Sequence, residues 1–488
     1  MPASRFIAVL ILVGVSIASC ATPPPGPDLG VIYNDAAQGV GNARNPVVVI
    51  PGILGSKLVE QGSRTPIWGS FTYGAADPDT AEGARLVALP MRLGAALSDL
   101  RDTVEATEVL DTLTLDVALV RGVELGAYAE ILRTLAAGKY RDAALARGMG
   151  IDYAGLHYTC FQFAYDWRRD VSEQAAALHE LIVAAQHSAG AARGTNEPVR
   201  VDVVAHSMGG LVLRYYLLYG PRPLPEDGSV PEPTWEGARH VEKAILIGTP
   251  NAGSVLALEQ LVEGVNYAAL ITPTYRPAVL GTMPAVYQLM PRGRHARVIE
   301  IGSGRAIDPT DPCEWERFGW GLADERQDGV LRWLLPDVSS REDRRTVARD
   351  HLGKCLARAR QFHAALDAPA PRPPPGCSIL LIAGDAHATP DVLGVDPRTG
   401  RVRVLSSGPG DGTVTRSSAL MDERVGSGYV PRLRTPIPWS SVVFLSSDHL
   451  GLTRDPAFSN LVLYSLLEEP RGGEPSVSLP RTAIDSMH

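Results

Sequence analysis

Residues 201–210 read VDVVAHSMGG, and the stretch that follows, 211–219, reads LVLRYYLLY. The opening VDVVA is short, apolar and β-branched, which predicts a buried strand. The second stretch has apolar residues at helical spacing and is closed by Gly220, a C-cap residue. A serine held between a strand and a helix has the context of a nucleophile elbow. The turn is so tight that the positions two before and two after the serine must be small. Here they are Ala205 and Gly209. Ala205 stands where the general G-x-S-x-G pattern has glycine, and still meets that steric demand. Such a turn presents the Ser207 hydroxyl at the carboxyl edge of a sheet. A neutral serine is a weak nucleophile and needs a base.

Working outward, four more apolar runs read as buried strands: 46–50 (PVVVI), 244–247 (AILI), 377–383 (CSILLIA) and 441–445 (SVVFL). Between them, 127–135 and 175–186 carry helical periodicity. Strands alternating with helices predict a mostly parallel sheet with helices on both faces, an α/β fold. The Pro-rich run 368–376 (APAPRPPPG) sets off the stretch before it, so residues 255–370 read as a cap inserted between two sheet strands. The core then comprises 46–254, with a lid region at about 59–86, and 377–470; residues 471–488 form a tail.

In a fold of this kind the order along the chain is serine, acid, histidine. After Ser207 come His240, His295, His351, His363, His387, His449 and His488. Only His449 directly follows a late apolar strand (SVVFLSSDHLGL), where the base belongs. For the acid, Asp411 lies between Gly410 and Gly412, small neighbours that leave room for an approaching ring. Asp385, just after CSILLIAG, is its topological rival, and Asp448 is adjacent to His449. The acid would orient the imidazole and stabilise its protonated form. The loop PGILG (51–55) after the first strand can turn a backbone N–H toward the serine. Ile53 is the expected donor, with Leu54 as the alternative, and Met208 N–H is the second donor of an oxyanion hole.

Composition narrows the classes. Lys and Arg number 46 against 54 Asp and Glu, a formal charge of −8, which gives no electrostatic footprint for nucleic acid. A 45% hydrophobic and 20% charged chain of 488 residues can bury a large core and is neither disordered nor a multi-span membrane protein. The first residues are an address. Residues 6–19 (FIAVLILVGVSIAS) would span only about 21 Å as a helix, too short to cross a bilayer and typical of a signal peptide, 1–19. Ile17-Ala18-Ser19-Cys20 resembles the lipobox of bacterial lipoproteins. That resemblance implies a lipidated Cys20, and Ala21 after it points to the outer membrane. Residues 20–45 then form a tether that opens with the Pro-rich TPPPGP (22–27).

Five segments together resemble lecithin:cholesterol acyltransferase and its relatives, the lysosomal phospholipase A2 and the phospholipid:diacylglycerol acyltransferases. They are VVVIPGILGSKL (47–58), FAYDWR (163–168), VVAHSMGG (203–210), IGTP (247–250) and GDGTVTRSSAL (410–420). The most discriminating is Tyr165-Asp166-Trp167-Arg168. The resemblance implies an α/β-hydrolase fold with cap and lid, and an acyl-enzyme mechanism on phospholipid or glyceride esters at a membrane surface, with water or an alcohol as acceptor. It implies Ser207 as nucleophile, His449 as base, and Asp411 rather than Asp385 as acid. Trp68 sits where a lid tryptophan could touch an acyl chain, or packs in a loop. Tyr165, Asp166 and Trp167 are expected near the active site, where Asp166 and Arg168 could pair to hold the loop or simply fix a turn.

The animal members' lid disulfide has no counterpart in residues 59–86, which lack cysteine. Beyond Cys20, the cysteines are Cys160, Cys313, Cys355 and Cys377, and a Cys313–Cys355 bridge is the expected pairing because both lie in the cap. No metal motif or cofactor fingerprint is present in the sequence. The competing readings are a triacylglycerol lipase or general carboxylesterase, and a non-catalytic lipid-binding lipoprotein.

Overall fold

The computed structural model describes residues 44–471, apart from 72–74, 111, 118–119, 127, 154–155, 196–198 and 267–273. The signal peptide, Cys20, the Pro-rich segment and the tail from residue 472 lie outside the described residues.

Six parallel strands build the central sheet: β1 (Val47–Ile50), β2 (Cys160–Gln162), β3 (Val201–His206), β4 (Val241–Ile247), β5 (Ser378–Gly384) and β6 (Ser441–Leu445). Their spatial order is β6-β5-β4-β3-β1-β2. All five strands expected from apolar runs are present, and β2 is an addition at the edge. The chain steps outward from β1 to β2 and then returns to the other side of β1 as β3. This reversal is a topological switch point, where the loops leaving the carboxyl ends of neighbouring strands part and open a crevice. Ile50 pairs with Ala205 across β1 and β3, so the loop beginning at Pro51 emerges beside His206 and Ser207.

Both faces of the sheet are covered. Val48, Ile50, Val203, Ala205 and Leu246 share one apolar cluster with the helices Gln174–Arg193 and Met208–Tyr219. Val47, Val49, Val204, Ile245 and Ile247 join the opposite cluster, packed against Ala129–Ala137 and Pro456–Leu467. This alternation explains why the strands read as unbroken apolar runs. Every residue of Met208–Tyr219 is buried. It lies between the sheet and the long helix Arg341–Asp367, which accepts bonds from Arg214 (Nη2 to Leu366 O, 2.9 Å) and Tyr219 (Oη to Ala365 O, 2.8 Å). Gly220 closes the nucleophile helix with φ of +64°.

Residues 255–370 are mainly helical, and their buried side chains belong to the same apolar cluster as one face of the sheet. One piece departs from that pattern. Val298–Glu300 pairs with the first strand of a hairpin, His387–Val395 and Val402–Gly410, whose second strand ends immediately before Asp411. The expected Cys313–Cys355 bridge is not formed: both are free, as are Cys160 and Cys377. Cys313 sits exposed in the first turn of Pro312–Phe318, whereas Cys355 faces inward from Arg341–Asp367 and is fully buried.

Among the described residues four histidines are buried, His206, His295, His351 and His363. Burial pushes their pKa down, to about 3 for His206 and about 4 for each of the others. Each is neutral in the folded protein where an unfolded histidine, with a pKa of about 6.5, takes up a proton. Below that pH the unfolded chain binds more protons, so stability falls as pH drops toward 4, by about 1.4 kcal/mol per pH unit for each histidine. The urea midpoint is expected to fall between pH 7 and pH 5, with His363→Gln flattening the fall. An unchanged slope in that variant would reject the assignment.

Candidate active site

The strand–serine–helix turn forms as the sequence predicts. Ser207 has φ of +53° and ψ of −125°, a conformation that costs a non-glycine residue energy and clusters at functional sites. It is held there by its own N–H, which bonds Ile247 O at 2.8 Å, and by the packing of its neighbours. A Cβ on Gly209 would stand 2.4 Å from Pro51 O, so the small residue after the serine lets the loop from β1 approach.

Three side chains far apart in sequence meet at this turn. His449 Nε2 lies 3.0 Å from Ser207 Oγ, and His449 Nδ1 lies 2.7 Å from Asp411 Oδ2. Asp411 is 1% exposed. Burial alone would raise its pKa. The charge and hydrogen bond of His449 and the N–H groups of Val414 and Thr413 outweigh that, and the carboxyl sits below its ordinary value. Those N–H groups donate to Asp411 Oδ1 at 2.7 and 2.9 Å, leaving Oδ2 for the imidazole. The rival acids are elsewhere. Asp385 is paired loosely with Arg416 at 3.6 Å, and Asp448 accepts from Gly451 N–H at 2.7 Å within its own turn.

The loop 51–56 is fixed by aromatic side chains. Tyr165 Oη donates to Pro51 O (2.8 Å), Trp68 Nε1 to Leu54 O (2.7 Å) and Trp167 Nε1 to Ser56 O (3.2 Å). Gly52 N–H donates to Tyr128 Oη at 2.7 Å. Gly52 is therefore not free to serve as a donor in the site. Among the described residues the Ile53 N–H is taken up by no hydrogen bond. Met208 opens its helix, so its N–H has no helical carbonyl partner. Leu54 has φ of +65°, a further strained position in this loop.

A cavity of about 260 Å³ opens at Ser207 and His449. Its walls are mostly apolar: Ile53, Leu54, Trp167, Leu256, Leu280, Val286, Leu289 and Val414. Trp167 reaches this cavity; Trp68 does not line it. Trp68 packs edge-on behind Trp167, with ring centres 5.7 Å apart, and is 4% exposed. Tyr165 and Asp166 likewise act from behind. Asp166 grips Arg168 through both oxygens, at 2.9 and 2.8 Å. The same fully buried guanidinium bonds Asp102 at 2.8 Å and the carbonyl of Val87, the last residue of the helix Ala81–Val87, at 3.1 Å. Tyr128 and His206, which the sequence does not single out, also line the cavity.

A parallel sheet with a serine elbow, a histidine after its last strand and a buried acid defines an α/β-hydrolase. Within that class, residues 153–303 match the family model described as Lecithin:cholesterol acyltransferase. The matched segment holds FAYDWR, the serine elbow and IGTP, and ends before Asp411 and His449. The family resemblance is thus shown over that part of the chain. No curated protein matches the chain in sequence. Among solved structures it is similar to the one reported as the crystal structure of the Tle4–Tli4 complex, with 15% identity and a TM-score of 0.52 over 87% of this chain and 98% of that one. It is also similar to the lipase BlEst2 of Bacillus licheniformis in its propeptide form, with 12% identity and a TM-score of 0.32 over 89% of this chain and 52% of that one. Lipase 1 of Pelosinus fermentans is 13% identical, with a TM-score of 0.30 over 88% of this chain and all (100%) of that one. The first of these likenesses bears on the fold; the family match and the fold together support a lipid acyl hydrolase or acyltransferase.

Two outcomes follow from this geometry. Asp411→Asn should cut kcat on an ester by on the order of 10⁴-fold, because the imidazole loses the partner that fixes its tautomer, while Asp385→Asn stays near wild type. Steady-state kinetics on both variants checks the order. Arg168→Ala leaves the Asp166 and Asp102 carboxylates unpaired in nearly buried surroundings. It should cost about 3–5 kcal/mol of stability, read from urea denaturation.

Proposed function

We propose that this chain is a serine-dependent acyl hydrolase or acyltransferase acting on phospholipid or glyceride esters at a membrane surface. The observation that carries the reading is the hydrogen-bonded line from Ser207 through His449 to Asp411 at 3.0 and 2.7 Å, opening into an apolar cavity. Ser207 Oγ bonds to the ester carbonyl carbon and passes its proton to His449 Nε2. The tetrahedral oxyanion is held by the N–H groups of Ile53 and Met208, a stabilisation in which one donor contributes about 3–4 kcal/mol. Collapse breaks the ester C–O bond, and His449 returns the proton to the departing alcohol oxygen. Water or an acceptor alcohol then attacks the acyl-enzyme, giving its proton to His449, and Ser207 is restored. The apolar walls suit a fatty-acyl chain. The choice of acceptor depends on which hydroxyl stands beside the acyl-enzyme and how well water is kept out.

We place the mature protein outside the cytoplasm, anchored through a lipidated Cys20 to the outer membrane, on the strength of the apolar leader and the sequence Ile17-Ala18-Ser19-Cys20. The segment 20–43 reaches at most about 80 Å when extended, enough for the folded part to turn its cavity toward the bilayer.

The test is mass spectrometry of products from vesicles of one defined phospholipid, with and without a sterol or diglyceride acceptor. Free fatty acid plus lysophospholipid is expected without acceptor, and acylated acceptor if transfer operates. Turnover of short soluble esters with intact vesicle lipid would instead favour a general carboxylesterase. Ser207→Ala should abolish turnover and fluorophosphonate labelling while the urea midpoint stays near wild type; undiminished turnover would reject Ser207 as the nucleophile.

A further inference from the structure

Beneath the serine runs a second hydrogen-bonded line that the acyl-transfer chemistry above does not use. Gly52 N–H donates to Tyr128 Oη at 2.7 Å, Tyr128 Oη lies 3.2 Å from His206 Nδ1, and His206 Nε2 lies 3.1 Å from His449 O. Every proton in it is assigned by elimination. An amide N–H can only donate, so the phenol oxygen accepts from Gly52, and the proton it gives to His206 Nδ1 follows from the far end of the line. The carbonyl of His449 can only accept, so a neutral imidazole carries its proton at Nε2 and accepts at Nδ1. His206 is 2% exposed and its pKa is pushed down to about 3, first by burial and then by the nearby His449, so the neutral form is the one present.

The geometry points to Tyr128 and His206 as positioning residues that tie the oxyanion loop to the loop carrying the base, one on each side of Ser207. The proposal rests on the reading of Ser207 as nucleophile. Three features suit the role. The line starts at Gly52, next to the expected oxyanion donor Ile53, and ends on the backbone of His449 itself. Tyr128 is wedged into the loop, since a Cβ on Gly55 would lie 2.6 Å from its Cε2. The His206 and His449 rings also pack against each other, with centres 4.9 Å apart. Although it is adjacent to the serine in sequence, His206 is committed at both nitrogens and is no second base.

The test is kinetics on a short soluble ester for Tyr128→Phe, His206→Asn, His206→Leu and the double variant Tyr128→Phe/His206→Asn, each compared where circular dichroism shows it folded. Misplacing a donor or base by about 1 Å costs on the order of a hundredfold in rate. Tyr128→Phe should therefore lose about a hundredfold in kcat with KM within about twofold. His206→Asn, whose amide oxygen can still accept from Tyr128, should keep more activity than His206→Leu. The double variant should lose no more than its worse single, as expected of one connected line. The proposal is overturned by a folded Tyr128→Phe with kcat near wild type, or by a loss expressed in KM alone. It is equally overturned if His206→Asn and His206→Leu are alike, which also decides the matter should Tyr128→Phe not fold. Ser207→Ala separates the two readings: turnover surviving in that variant would sink the nucleophile assignment, whereas a dead Ser207→Ala beside an unimpaired Tyr128→Phe would sink the positioning line alone.

Discussion

The whole site depends on how closely two loops approach at the switch point of the sheet. A Cβ added to Gly52 would lie 2.7 Å from Ser207 Cβ, closer than real side chains come to one another. The loop after β1 and the turn after β3 are thus in contact with no side chain between them. Only this contact lets backbone N–H groups from two segments face one reacting atom. Beyond one internal bond, from Gly55 N–H to Gly52 O at 3.1 Å, the loop is held by residues outside it. Tyr165, Trp68 and Trp167 each donate to a carbonyl of the loop, and Tyr128 accepts from one of its amides. Aromatic side chains suit this task because their rings bury a large apolar area while their polar tips fix a backbone group. In the proposed reaction, a site preorganised in this way needs little rearrangement as charge develops on the ester carbonyl.

Much of this was legible in the residues, and the exceptions have physical causes. The four inner strands are covered on both faces and so read as plain apolar runs, and the edge strand Ser441–Leu445 keeps the same apolar composition. Cys160–Gln162 is three residues long at the sheet edge, too short for any periodicity. The hairpin that precedes Asp411 has a largely exposed second strand and is broken by Pro390, Gly394, Gly408 and Pro409, which read as loop rather than strand. Its position is what brings Asp411 to His449. Because a strand-end position favours Asp385, the residues alone left the acid open and the family resemblance was needed to choose.

The aromatic residues divide in the same way. Trp167 was expected at the site and lines it. Trp68 was expected to touch an acyl chain or to pack, and it packs, one ring behind. Tyr128 carried no signal, because its part depends on a glycine of the loop after β1, distant along the chain. The Cys313–Cys355 expectation failed because sharing a cap does not orient two side chains: one faces solvent and the other faces the core. The Asp166–Arg168 pair does more than hold a local turn, since the guanidinium also reaches Val87 O and Asp102 and joins the helix Ala81–Val87 to the hydrolase core.

Residues 255–370, expected to be a cap, pack into the same interior as the sheet. Their long helix Arg341–Asp367 bonds the helix that starts at Met208, and Leu280, Val286 and Leu289, which wall the cavity, sit in the same apolar cluster as that helix. Substrate range and thermal robustness therefore draw on one set of side chains. Widening the cavity to admit a bulkier chain removes packing from beneath the serine itself. A lineage that shifts its lipid preference would be expected to accumulate compensating changes elsewhere in the interior before, or together with, the change in diet.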